Sequence, residues 1–147
     1  MRLDRRTMLA MAPLALLACA GAAQAQTIEV VKSPTCGCCN QWVEHLRREG
    51  FEVRIVDTED VSATARWLGV PDDLRSCHTG SIGGYAIEGH VPAADIRRLL
   101  AERPQALGIA VPGMPIGSPG MEQGDTRQPY AVILFTRDGR RTTFAQH

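Results

Sequence analysis

The sequence predicts a single α/β domain. Short β-branched runs alternate with stretches of helical periodicity along the chain, and turn residues punctuate almost every junction. With 147 residues, 44% of them hydrophobic, there is material for one core. Sixteen basic residues offset sixteen acidic ones, which leaves no basic stripe for nucleic acid or an anionic membrane.

Residues 1–25 read as an export signal peptide outside the fold. Arg2, Arg5 and Arg6 give a basic start, Met8 to Ala20 an apolar run, and Ala23-Gln24-Ala25 an A-x-A cleavage site. The run is short for a transmembrane helix. Arg5-Arg6 before Thr7-Met8-Leu9 also resembles a twin-arginine signal, and Leu16-Leu17-Ala18-Cys19 is a loose lipobox. The expectation is a periplasmic protein without a membrane attachment unless Cys19 is lipidated. Removing three arginines and one aspartate leaves 13 basic and 15 acidic residues, a net charge of −2.

Residues 26–103 hold the main elements. Ile28 to Val31 is a first strand, and the Ser33-Pro34 turn precedes Cys36, Cys38 and Cys39. Cys39, Trp42, Val43 and Leu46 then fall on one helical face, with Gly50 as the stop. Phe51 to Val56 alternates as a second strand, and Val61 to Leu68 forms a short helix closed by Gly69. Ser76 to Thr79 reads as a short strand or strand-like loop, and Tyr85 to Glu88 as a strand ending at Gly89. Pro92 opens a helix from Ala93 to Arg103. Residues 104–147 form a C-terminal extension packed on the same domain. Its first part, to residue 129, is rich in Pro and Gly and reads as a long irregular loop. Tyr130 to Phe135 and Arg140 to Phe144 follow as a hairpin around Asp138-Gly139, an appendage to the main domain. The order β-α-β-α-β-β-α, with cysteines between the first strand and helix, resembles the thioredoxin-like fold.

Four cysteines remain after export. Two structural disulfides would leave two of Cys36, Cys38 and Cys39 joined to each other, and only the 36–39 ring is comfortable. Such a small loop stabilises little, so stapling explains the cluster poorly. Thiol–disulfide exchange is a second reading, since Cys36-Gly37-Cys38-Cys39 is a C-x-x-C pair at a helix start, where the dipole favours thiolate. The third is metal. Crowded thiolates select soft ions such as Cu(I), with silver also admissible, and Cys77 in Ser76-Cys77-His78-Thr79 supplies a fourth sulfur if its loop faces the cluster. Zinc would want a two-plus-two spacing that is absent, and Asn40 after Cys39 excludes haem attachment.

Secondary candidates surround these. Met114 and Met121 sit in a repeated P-G-M, and thioethers suit Cu(I). His90, between Gly89 and Pro92, is a ligand, relay or turn residue, and His78 is a weaker candidate. His45, about two turns below Cys38, reads as a solvated surface residue, His147 as an uninformative terminus and Glu122 as a surface charge.

"CGCC", "SCHT", "GYAIEGHVP" and "PGMPIGSPGME" together resemble the CopG-type periplasmic copper-resistance proteins, over nearly all of residues 28–124. The resemblance implies a thioredoxin-like domain whose C-terminal extension contributes to metal binding. Its C-x-C-C motif falls on Cys36, Cys38 and Cys39, and it implies copper handling with Cu(I)/Cu(II) interconversion. The expected protein is a monomer that binds copper on Cys36, Cys38, Cys39 and Cys77, with Met114, Met121 and His90 as further ligands, and serves a copper efflux system. A thiol–disulfide oxidoreductase and a non-redox copper chaperone are the alternatives.

Overall fold

The computed structural model describes residues 26–147, so the signal peptide and Cys19 lie outside the described residues. The elements run β1 (Thr27–Lys32), α1 (Gly37–Arg48), β2 (Glu52–Asp57), α2 (Val61–Trp67), a 3-10 turn (Asp72–Leu74), β3 (His78–Ile82), β4 (Tyr85–Gly89), α3 (Ala93–Glu102), β5 (Gly108–Val111), β6 (Ala131–Phe135) and β7 (Arg141–Gln146). The strands form one mixed sheet in the order β2-β1-β3-β4-β5-β6-β7. β1 runs parallel to β2 and antiparallel to β3; β4 is antiparallel to β3 and parallel to β5. The β6–β7 hairpin continues the sheet through β5.

Alternation along the central strands builds two cores. Ile87, Ile109 and Val111 point to the larger one, with Ile28, Val30, Trp42, Leu46, Ile96 and Leu99. Ala86 and Ala110 point to the opposite face and meet Ala65, Val70, Leu74 and Phe135. Cys39, Trp42, Val43 and Leu46 are the buried residues of α1, the expected face. Among the described residues, no helix is long and apolar enough to cross a membrane.

Three expectations need correction. β3 begins at His78, so Ser76 and Cys77 lie in the segment that leads into it. β5 interrupts the stretch expected to be irregular from 104 to 129, and by pairing with both β4 and β6 it makes the hairpin a continuation of the sheet. β2 is an edge strand with shallow burial on both faces, and Ile55 and Val56 are each more than a third exposed.

Candidate metal centre

The site forms where the N-terminus of α1, the lead-in to β3 and the turn after β4 converge. The turn between β1 and α1 folds back through a Cys36 N–H to Ser33 carbonyl bond, which puts Cys36 at the N-cap. There its sulfur accepts from the Cys39 N–H at 3.4 Å, using one of the donors a helix start leaves unpaired. Cys36 and Cys39 are joined in a disulfide, the one ring the spacing makes comfortable. Cys38 and Cys77 are the free cysteines among the described residues, so a two-disulfide framework is not what forms.

Cys77 faces the cluster. Its Sγ lies 3.7 Å from the Cys38 Sγ, which is itself 3.6 Å from the Cys36 Sγ. Cys39 is fully buried and its sulfur lies 3.5 Å from the Cys77 carbonyl. All four sulfurs fall within 4.8 Å of one another. Two thiolates on one tetrahedral ion at about 2.3 Å stand about 3.7–3.8 Å apart, so the spacing suits shared ligation once the disulfide is reduced. Burial, followed by the neighbouring Cys38, pushes the Cys77 thiol up to about 12. Cys77 is therefore protonated at neutral pH, and an ion that binds it must displace that proton.

Two buried imidazoles flank Cys77. His78 Nδ1 is 3.4 Å and His90 Nε2 3.6 Å from its sulfur. His78 lies against the Trp42 ring, with centroids 4.3 Å apart, and meets His90 edge to face at 4.9 Å. Burial, with His90 alongside, lowers His78 to about 3, and burial also lowers His90, which disfavours the charged form of both imidazoles. Trp42 is anchored in turn by its indole N–H to the Val91 carbonyl, 2.9 Å.

The Pro/Gly-rich loop covers the helix start. The Pro119 carbonyl accepts from His90 Nδ1 at 2.8 Å. Gly120 has φ +86°, and a Cβ there would stand 2.7 Å from the Trp42 nitrogen and 3.0 Å from the Cys38 carbonyl oxygen. Only glycine allows that approach. Met121, the next residue, is half-buried, whereas Met114 is 42% exposed at φ 46°. Glu122 is exposed as expected, and its carboxylate accepts from the Gly120 N–H at 2.8 Å.

Sequence reasoning missed three residues. Glu88 is fully buried and accepts from the Ser76 N–H at 2.6 Å and the Thr79 hydroxyl at 2.7 Å, so it fixes the segment that carries Cys77. Burial pushes its carboxyl up to about 7 against those two bonds and Arg75. The expected surface residue His45 is half-buried, and its Nε2 accepts the Ala93 N–H at 3.2 Å. The expected uninformative terminus His147 is pinned instead. Its imidazole bonds Asp95 at 2.7 Å and stacks on Tyr130.

Fold and site define an α/β protein with a clustered-thiol centre able to hold a metal ion. A family described as a protein of unknown function, DUF411, matches residues 74–121, which include Cys77, His78, His90, Met114 and Met121. Two solved structures of a copper resistance protein CopG, forms 2 and 1, share 48% identity with the chain. They superpose with TM-scores of 0.81 and 0.80, over 84% of this chain and 99% and 98% of theirs. No curated protein matches it. The chain belongs to the CopG family of copper resistance proteins.

Proposed function

We propose that this protein binds copper in the periplasm, as Cu(I) on the thiolates of Cys36, Cys38, Cys39 and Cys77, and so contributes to copper resistance. The observation that carries the reading is the meeting of four sulfurs within 4.8 Å from two chain segments far apart in sequence. Sulfur donors at that spacing favour a soft ion, and shared thiolates can bridge more than one. The β2-β1-β3-β4 order and the cysteines at the start of α1 support the thioredoxin-like reading of the first half. Pro119 and Gly120 seat the loop on the cluster, so Met121 and Met114 are candidate thioether ligands on its lid, and His90 is a candidate nitrogen ligand below it. The start of the sequence, with its signal-like residues 1–25, supports export to the periplasm, where a copper efflux system is the fitting recipient.

The Cys36–Cys39 disulfide gives the protein a two-electron reserve beside its free thiols. Two Cu(II) ions accept one electron each as the dithiol closes to the disulfide with loss of two protons, and the reverse oxidises two Cu(I). The test is anaerobic Cu(I) titration of the reduced protein. Wild type takes up copper, and Cys36→Ser/Cys38→Ser/Cys39→Ser together lose it; unchanged copper uptake in that triple variant refutes the reading.

One observation favours a second reading. The disulfide sits at a helix N-terminus, where thiol–disulfide exchange is well served. Metal-free protein that reduces insulin at a useful rate, and loses this with Cys36→Ser or Cys39→Ser alone, would support it over copper. Transfer of Cu(I) to a partner with no change of oxidation state, followed by EPR, would mark a chaperone instead.

A further inference from the structure

Cys77 is also the corner of a second donor set, with His78 and His90, of which the thiolate reading leaves His78 unused. His78 Nε2 lies 3.0 Å from the Gly89 carbonyl, and His90 Nδ1 lies 2.8 Å from the Pro119 carbonyl. A carbonyl only accepts, so each of these nitrogens must carry the hydrogen. The opposite nitrogen of each ring is then a bare lone pair. Both lone pairs face the same atom, the Cys77 sulfur, at 3.4 and 3.6 Å.

A single thiol proton cannot serve two acceptors. One of two fully buried imidazole nitrogens is left without a donor, a state that buried polar atoms seldom tolerate. A cation satisfies all three atoms at once. An ion that holds thiolate at about 2.3 Å and imidazole at about 2.0–2.1 Å in a tetrahedron sets sulfur and nitrogen about 3.5 Å apart. The two observed separations bracket that value, and the three ligand atoms lie within 4.8 Å of one another. Histidine ligands characteristically donate their other nitrogen to a carbonyl, which orients the ring, and both do so here.

We propose that Cys77, His78 and His90 form a mixed imidazole–thiolate site for a borderline divalent ion, Cu(II) or Zn(II), available while Cys36 and Cys39 are joined in their disulfide. Two imidazoles and one thiolate are harder donors than four thiolates, so the two sets prefer different ions. The disulfide removes two sulfurs from the soft set and none from the mixed one. Three protein ligands leave a fourth position for water or for an ion's incoming ligand. The inference deepens the copper reading and rests on it for Cys77 as a ligand, while His78 is assigned here from geometry.

Co(II) is the probe, because it reports thiolate and imidazole ligation optically without oxidising thiols. Anaerobic protein with the disulfide verified by mass should bind one equivalent, with tetrahedral d–d bands and a thiolate-to-cobalt charge-transfer band. His78→Gln and His90→Asn each keep the hydrogen bond to the carbonyl and remove the ligand nitrogen. Each should weaken Co(II) binding at least tenfold, with circular dichroism as the check on folding. No Co(II) binding by the disulfide form, an octahedral spectrum without a thiolate band, or unchanged affinity in both folded variants overturns the proposal. Cu(I) titration of the reduced wild type runs in parallel. Cu(I) uptake without Co(II) binding sinks the second site alone, and Co(II) binding without Cu(I) uptake sinks the copper reading alone.

Discussion

Glycine at position 120 decides how closely the loop can lie on the cluster. A Cβ added there would strike the backbone of Cys38 and Trp42, and its φ is one that other residues take only with strain. Gly120→Ala should lower stability by about 2 kcal/mol or more, from overpacking and left-handed strain together. The same change should raise the alkylation rate of Cys38, because Pro119 and Gly120 can no longer seat; an unchanged rate would separate the loop from the site. That glycine was legible only as part of a P-G-M repeat, since no local rule says which of two such glycines meets a helix. The cysteines were easier to read, because three thiols in four positions have few chemical uses. Glu88 was illegible for the opposite reason. On a strand that reads Tyr-Ala-Ile-Glu-Gly it looks like an outward polar residue, and only burial of β4 on both faces hides it.

Between elements, an imidazole of α1 caps the start of α3, beside the core the two helices share and the Arg97–Glu49 pair at the end of α1. Pro92 caps α3 without a side-chain hydrogen bond, so the Ala93 N–H relies on His45 Nε2. Burial lowers the pKa of His45, partly opposed by Glu49. A base lowered in the folded state contributes stability that is full above its unfolded value of 6.5 and is lost as pH falls through the lower folded value. Wild type should therefore melt at a lower temperature at pH 5 than at pH 7.5, and His45→Gln should flatten that difference; an equal slope in the variant would remove His45 from the account. The fold was most legible at this scale where period and caps agreed, as in the buried face of α1. β5 escaped because four residues, Gly108 to Val111, are too short to show a period between Pro-rich neighbours. Its identity as a strand comes from its two partners, β4 and β6, which no local pattern reveals.

Across the molecule, the extension and the cysteine-bearing half share one sheet and both cores. Phe135 on β6 is fully buried with Leu74, Val70 and Ala65, directly before and beneath the segment that delivers Cys77. Arg141 on β7 pairs with Asp73 in the 3-10 turn of the same segment, although an exposed pair of this kind adds little stability. Apolar packing is thus the stronger bond between the two halves. Phe135→Ala should cost about 3–5 kcal/mol. If the sheet unfolds as one unit, the loss will appear equally at both ends of the molecule. Urea unfolding followed by hydrogen exchange of the β6 amides and by Cys38 labelling should then give coincident midpoints, shifted together in the variant. Separate midpoints, with the cysteine region unaffected by Phe135→Ala, would show that residues 104–147 fold apart from the site. Coincidence would mean that the extension holds the Cys77 segment in place as well as covering the thiols.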